Sequence, residues 1–97
     1  MVAKLDPASR KNALKRLVHW SDVIGRDAIE RTFVFGDFQQ AFAFMTRVAE
    51  KAEELNHHPE WTNVYKTVEV ILTTHDCGGV SELDVKLATF MDETARE

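Results

Sequence analysis

Three of the four histidines in the chain lie in two short segments, and histidine is the side chain best suited to proton transfer near neutral pH. The first segment, 56–61, contains His57 and His58, and the second, 74–77, contains His75. An unperturbed imidazole has a pKa of about 6.5, so it gives or takes a proton under physiological conditions. Because both segments follow the predicted end of a regular element, the sequence predicts a proton-handling site there.

Three interpretations of these histidines are open on the residues alone. A zinc site would use His57, His58, His75 and Cys77 as four ligands, but adjacent histidines rarely bind one ion, and the usual ligand spacings are absent. A structural role would have His58 cap helix carbonyl groups or His75 pair with Asp76.

General acid/base catalysis without a metal is the third interpretation. It requires a neutral and partly apolar substrate, which Pro59, Trp61 and Cys77 would contact. The spacing of the histidines does not by itself decide between catalysis and a structural role.

Two predicted elements place the histidine segments. Pro59 disfavours helical geometry in the residue before it, so a helix over about 38–55 must end before this proline. Alternating apolar residues predict a strand over about 68–74, and this strand leads directly into His75. The residues that follow, 75–79, include two glycines and predict a loop.

The periodicity of the whole chain predicts three helices and four strands in the order α-β-β-α-β-β-α. The predicted helices run from Asp6-Pro7 to about Val18, over about 38–55 with Asp37 as N-cap, and after Ser81, which Asp84 completes as a capping box. The predicted strands cover about 19–24, 28–35, 61–65 and 68–74, with a turn at Lys66-Thr67. We expect an α+β fold with three helices on one face of a four-stranded antiparallel sheet.

The long helix over 38–55 carries more apolar residues than one sheet face would cover. Its predicted core stripe consists of Phe38, Ala41, Phe42, Met45, Val48, Ala49 and Ala52. Phe44 and Leu55 widen this stripe and favour a second packing partner, most simply another copy of the chain. The alternative is that Phe44 folds over the edge of the stripe.

Length and composition limit the class of protein. With 97 residues, 44% hydrophobic and 29% charged, residues 1–97 are expected to form a single globular domain. A net charge of −4 without a basic run argues against direct binding of nucleic acid, and no apolar run approaches the roughly 20 residues of a membrane span. A single cysteine and an amino-terminal segment without an apolar signal predict a cytoplasmic location, with the nucleus also open.

One series of residues resembles a known signature. Glu53, three residues, His57-His58-Pro59, five residues, Tyr65, nine residues, His75, eight residues and Asp84 match the signature of the pterin-4a-carbinolamine dehydratases. This family is also known as the dimerization cofactor of the hepatocyte nuclear factor 1 homeodomain transcription factors. The segments 25–29, 41–49, 61–65 and 72–78 also look like the animal members of the family.

The resemblance implies a lyase that dehydrates 4a-hydroxytetrahydrobiopterin to quinonoid dihydrobiopterin in the recycling of the pterin cofactor. It implies catalytic roles for His57 and His75, and a role for His58 in holding the pterin substrate. The reaction requires no metal and no redox cofactor. Acid and base are not assigned individually, because coupled imidazoles titrate as a set.

The resemblance also implies the surroundings of these histidines and the partners of the chain. Pro59, Thr74, Asp76 and Cys77 would shape the pterin pocket with Trp61, Glu53 would orient a histidine, and Asp84 would serve the site or only cap its helix. Similar proteins form homodimers through sheet edges, and pairs of dimers pack by the long helix into homotetramers. A binding module for a homeodomain transcription factor is therefore the alternative function, and it is compatible with catalysis.

Overall fold

The computed structural model describes residues 2–96 and has the predicted α+β architecture. Its elements are α1 (Pro7–Arg16), β1 (Ser21–Asp22), β2 (Ile29–Val34), α2 (Phe38–Leu55), β3 (Glu60–Val64), β4 (Thr67–Leu72), a short 3₁₀ helix (His75–Cys77) and α3 (Glu82–Ala95). The predicted order α-β-β-α-β-β-α is thereby confirmed. Within residues 2–96, no helix combines the length and the apolar character that crossing a membrane requires.

The helices begin where side chains satisfy their free amide groups. The carboxylate of Asp6 accepts a hydrogen bond from the backbone N–H of Ser9 at 2.8 Å, and Asp37 accepts one from Gln40 at the same distance. These contacts confirm both predicted N-caps. The side chain of Gln40 reaches back to the N–H of Gly36 rather than to that of the cap residue.

The four strands form one antiparallel sheet in the order β1-β2-β4-β3. The predicted first strand over 19–24 was too long, because only Ser21 and Asp22 pair with β2. The predicted hairpin turn was one residue late: Val64 pairs with Thr67, so Tyr65 and Lys66 form the turn. The predicted loop after β4 contains the short 3₁₀ helix.

The core lies between the helices and one face of the sheet. Its buried residues include Ile29 and Phe33 of β2, Val68, Val70 and Leu72 of β4, Ala41, Phe44, Val48 and Ala52 of α2, and Leu87 and Met91 of α3. This placement corrects the predicted stripe of α2. Phe44 is 3% exposed and contacts the ring of Phe33 at a centroid distance of 4.7 Å, whereas Phe42 is 55% exposed and stacks on the partly exposed Phe38.

The end of α2 sets the direction in which the first histidine segment leaves the helix. Asn56 adopts the left-handed conformation with φ 51°, and the N–H of His57 then bonds back to the carbonyl oxygen of Ala52 at 2.9 Å. Asparagine tolerates this conformation better than most residues. The helix end therefore fixes the backbone from which His57 and His58 project.

Replacing Asn56 with valine tests this helix end. A β-branched residue is strained at positive φ, so Asn56→Val should lower the free energy of unfolding by about 1–2 kcal/mol. Urea denaturation measures the change, and Asn56→Gly is the matched control that keeps the turn without strain. Equal stability of the valine and glycine variants would contradict the assigned backbone conformation.

Candidate active site

The imidazoles of His57, His58 and His75 line one cavity of about 230 Å³. The segment after α2 supplies two of them, and the segment after β4 supplies the third. The structure thus brings together the two distant histidine segments. The complete lining consists of Val2, Asn56, His57, His58, Thr73, Thr74, His75, Asp76 and Leu83.

His57 is paired with the fully buried carboxylate of Asp84. Nε2 of His57 lies 2.6 Å from Oδ1 of Asp84, and the histidine itself is only 8% exposed. The other oxygen of Asp84 accepts hydrogen bonds from the hydroxyl of Thr74 at 2.7 Å and from the N–H of Ser81 at 2.9 Å. When the Asp84 carboxylate is ionised it only accepts, so a neutral His57 ring then donates from Nε2 and has Nδ1 as its acceptor nitrogen.

The other two histidines are exposed, and each also has a carboxylate at Nε2. Nε2 of His58 lies 2.5 Å from Oε2 of Glu53, which is in the last turn of α2. Nε2 of His75 lies 3.2 Å from Oε2 of Glu60. Each of the three rings therefore has a carboxylate at the same nitrogen, Nε2. A carboxylate bonded to one ring nitrogen commonly fixes the orientation of a histidine and the role of the other nitrogen.

Glu60 also binds an arginine. Nη1 and Nη2 of Arg26 donate to the two carboxylate oxygens of Glu60, each at 2.9 Å. The hydrogen bonds from Arg26 are the main reason that the pKa of Glu60 is lowered, partial burial opposes the shift, and the charge of Arg26 and the contact with His75 add to it. Glu60 therefore faces His75 as an anion at neutral pH.

Not all of the residues predicted to contact substrate lie at this cavity. Pro59 and Trp61 line a larger cavity of about 630 Å³, which extends over β2, β4 and β3 and has no histidine in its lining. Cys77 is outside the lining of both, with Sγ 3.5 Å from the carbonyl oxygen of Gly79. Thr74 and Asp76 do line the smaller cavity.

Glu53 and Asp84 lie behind the histidines rather than in the cavity lining. Asp84 also completes the predicted capping box with Ser81, in addition to its contact with His57. The sequence did not identify Arg26 and Glu60. No local pattern connects two residues that lie in separate segments of the chain.

The arrangement of donors is suited to acid/base chemistry. Among the residues that the structure describes, no three His, Cys, Asp or Glu side chains converge as ligands for one metal ion. Each imidazole instead pairs with its own carboxylate through Nε2, so Nδ1 is not used in that pair. Three such rings at one cavity can both deliver and accept protons.

The comparison with known families identifies the chain. The model of the pterin 4 alpha carbinolamine dehydratase family matches residues 3–94. The chain belongs to this family. The sequence-based recognition is thereby confirmed.

Close relatives in the pterin 4 alpha carbinolamine dehydratase family cover nearly the whole chain. A protein of Dinoroseobacter shibae named as a pterin-4-alpha-carbinolamine dehydratase is 62% identical in an alignment 97 residues long, which covers 98% of this chain and 100% of the relative. A protein of Burkholderia pseudomallei with the same name is 56% identical over 99% of this chain and 95% of its own. A crystal structure of a transcriptional coactivator/pterin dehydratase from Brucella melitensis is 48% identical, with a TM-score of 0.92 over 95% of this chain and 98% of that one.

Replacing Asp84 with asparagine tests the buried network behind His57. The amide has one donor group where the carboxylate only accepts, so it cannot satisfy all three donors that face Asp84. We expect Asp84→Asn to lower the free energy of unfolding by about 1–3 kcal/mol, measured by urea denaturation. Glu93→Gln, an exposed change on the same helix, is the control and should change stability by less than about 0.5 kcal/mol. Equal effects of the two substitutions would contradict the network.

Proposed function

We propose that the chain dehydrates 4a-hydroxytetrahydrobiopterin to quinonoid dihydrobiopterin by histidine acid/base catalysis. Membership of the dehydratase family supports the class of reaction. The observation that carries the mechanism is the convergence of His57, His58 and His75 on one cavity. The chain would then act as a hydro-lyase in the recycling of tetrahydrobiopterin.

The reaction needs one proton donor and one proton acceptor. The bond between C4a and the hydroxyl oxygen breaks while an acid protonates that oxygen, and water leaves. A base removes the proton from the neighbouring ring nitrogen, whose electron pair forms the new double bond to C4a. No electron is gained or lost overall, so two imidazoles in opposite protonation states are sufficient.

The environments of the histidines fit such a division of work. His57 is nearly buried against the Asp84 carboxylate, which would stabilise the imidazolium that forms when this ring accepts a proton. The side chain of His75 is 78% exposed, so it can exchange protons with water between turnovers. His58 lies beside His57 and would hold the substrate, with Nδ1 available to accept a hydrogen bond.

The cavity is consistent with a small bicyclic substrate. Its volume of about 230 Å³ is below the roughly 300–1,000 Å³ of pockets for drug-sized ligands. Its lining combines the side chain of Leu83 with the polar groups of Asn56 and Asp76. These residues would contact the ring of the pterin, while Thr74 supports Asp84 through its hydroxyl group.

Alanine variants of two histidines test the catalytic proposal. His57→Ala and His75→Ala should each lower the enzyme-catalysed rate by about 10²–10⁴-fold, because each removes an acid/base group. The catalysed rate is the observed rate minus the rate of the uncatalysed reaction. Stopped-flow measurement of 4a-carbinolamine breakdown, with and without a chelator, provides the rate. His19→Ala is the matched control, because His19 is exposed and lies outside the cavity lining.

The fold of each variant must be intact for this comparison, since His57 partners a buried carboxylate. Circular dichroism checks it, and His57→Gln is a second variant that can still donate to Asp84. Folded variants of both His57 and His75 that turn over at the wild-type rate would refute the proposal. A rate that falls with the chelator in wild-type protein would point to a metal.

A second function, binding of a protein partner, has separate support. The Brucella melitensis structure is described as that of a transcriptional coactivator as well as a pterin dehydratase. In this chain the rings of Phe38 and Phe42 stack at 5.7 Å on the solvent side of α2. We propose that this aromatic pair joins copies of the chain into a dimer or tetramer, and that the same helical face would engage a homeodomain transcription factor. Both activities are compatible with a cytoplasmic enzyme that also enters the nucleus.

Phe42→Glu tests the proposed assembly surface. A carboxylate placed in an apolar contact loses its hydration, so the variant should sediment as a smaller species than wild-type protein. Phe42→Leu is the control and should keep the assembly, and both variants should retain dehydratase turnover. Sedimentation of Phe42→Glu identical to that of wild type would contradict the role of α2 in assembly.

A further inference from the structure

The carboxylate of Glu60 lies between an arginine and the exposed histidine of the cavity. Its Oε2 accepts a hydrogen bond from Arg26 at 2.9 Å and lies 3.2 Å from Nε2 of His75. We propose that Arg26 and Glu60 are a positioning pair, which orients His75 and sets the pH at which this ring accepts a proton. The inference deepens the proposed function and rests on it.

The loop that carries Arg26 is tied to the segment that carries His75. The carbonyl oxygen of Asp27 accepts a hydrogen bond from the hydroxyl of Thr73 at 2.8 Å. The carboxylate of Asp27 accepts a second bond from the N–H of Val80 at 3.3 Å. Asp27, the residue next to Arg26, thus holds the segment of His75 on both sides. The backbone positions of Arg26 and His75 are therefore fixed relative to each other.

Glu60 is held at a fixed place between them. It is the first residue of β3 and pairs with Ile71 of β4. The guanidinium group binds both of its oxygens, and this two-bond geometry fixes the plane of the carboxylate as well as its position. Because the side chain of His75 is otherwise largely exposed, the contact with Glu60 selects its orientation.

The arginine distinguishes this histidine from the other two. Within residues 2–96, the carboxylates of Asp84 and Glu53 form no ion pair with an arginine or lysine, whereas Glu60 pairs with Arg26. The imidazolium form of His75 therefore gains less from Glu60 than it would from an unpaired carboxylate. The other titratable groups near the ring are Asp76 on its own segment and the two histidines across the cavity.

Removing the two members of the pair should move the titration of His75 in opposite directions. Arg26→Gln leaves Glu60 to stabilise the imidazolium alone, so the limb of the kcat/KM profile that reports His75 should move to higher pH. Glu60→Gln leaves a cation near His75, so the same limb should move to lower pH. Each shift should be roughly half a pH unit, as expected for loss of one charge close to an exposed group.

The controls separate positioning from a general effect of charge or stability. Arg16→Gln removes one exposed positive charge from α1 and should leave the profile unchanged. Arg26→Lys keeps the charge but loses the two-bond geometry, so its pH profile should lie much closer to that of wild type than the profile of Arg26→Gln does. A purely structural ion pair would change stability without moving the pH limb.

NMR titration of the His75 ring gives a readout that does not need turnover. Its midpoint should rise in Arg26→Gln and fall in Glu60→Gln. An unchanged midpoint in both variants, or shifts of the same sign, would overturn the inference while leaving the His75→Ala test of the proposed function unaffected. If wild-type protein shows no dehydratase activity, the proposed function fails, and the NMR shifts still decide whether the pair controls His75.

Discussion

The buried carboxylate of Asp84 is the interaction on which the candidate site depends. It caps α3 through Ser81, holds the segment after β4 through Thr74, and orients His57 after α2. A charge that is 0% exposed would be costly without partners, and three hydrogen bonds compensate for its loss of hydration. A single residue therefore links the start of α3, the segment after β4 and the first histidine after α2.

Each of the three imidazoles is oriented by a carboxylate, but the three pairs lie in different environments. Each places Nε2 against a carboxylate, but the pair of His57 is buried, that of His58 is exposed, and that of His75 is shared with Arg26. Burial strengthens an ion pair and also penalises its charges, whereas water and a competing cation weaken it. Rings of equal chemistry therefore lie in unequal electrostatic environments.

Local signals in the sequence predicted much of the fold, and relations between distant segments were harder to predict. Caps such as Asp37 and the proline after His58 act within a few residues, so the order of elements and the ends of α2 could be inferred. The core face of α2 was wrong, because Phe42 and Phe44 are both large and apolar and periodicity alone does not show which of them meets the sheet. The two histidine segments were expected to share one cavity and they do, but Trp61 lies at another cavity and Arg26 reaches Glu60 only through the tertiary fold.

A crystal structure with a reduced pterin that cannot dehydrate tests the central claim most directly. The account predicts that the bicyclic ring lies in the cavity between His57 and His75, with imidazole nitrogens within hydrogen-bonding distance of its polar edge. A ring bound instead in the larger cavity beside Trp61, with the three histidines facing water, would contradict it.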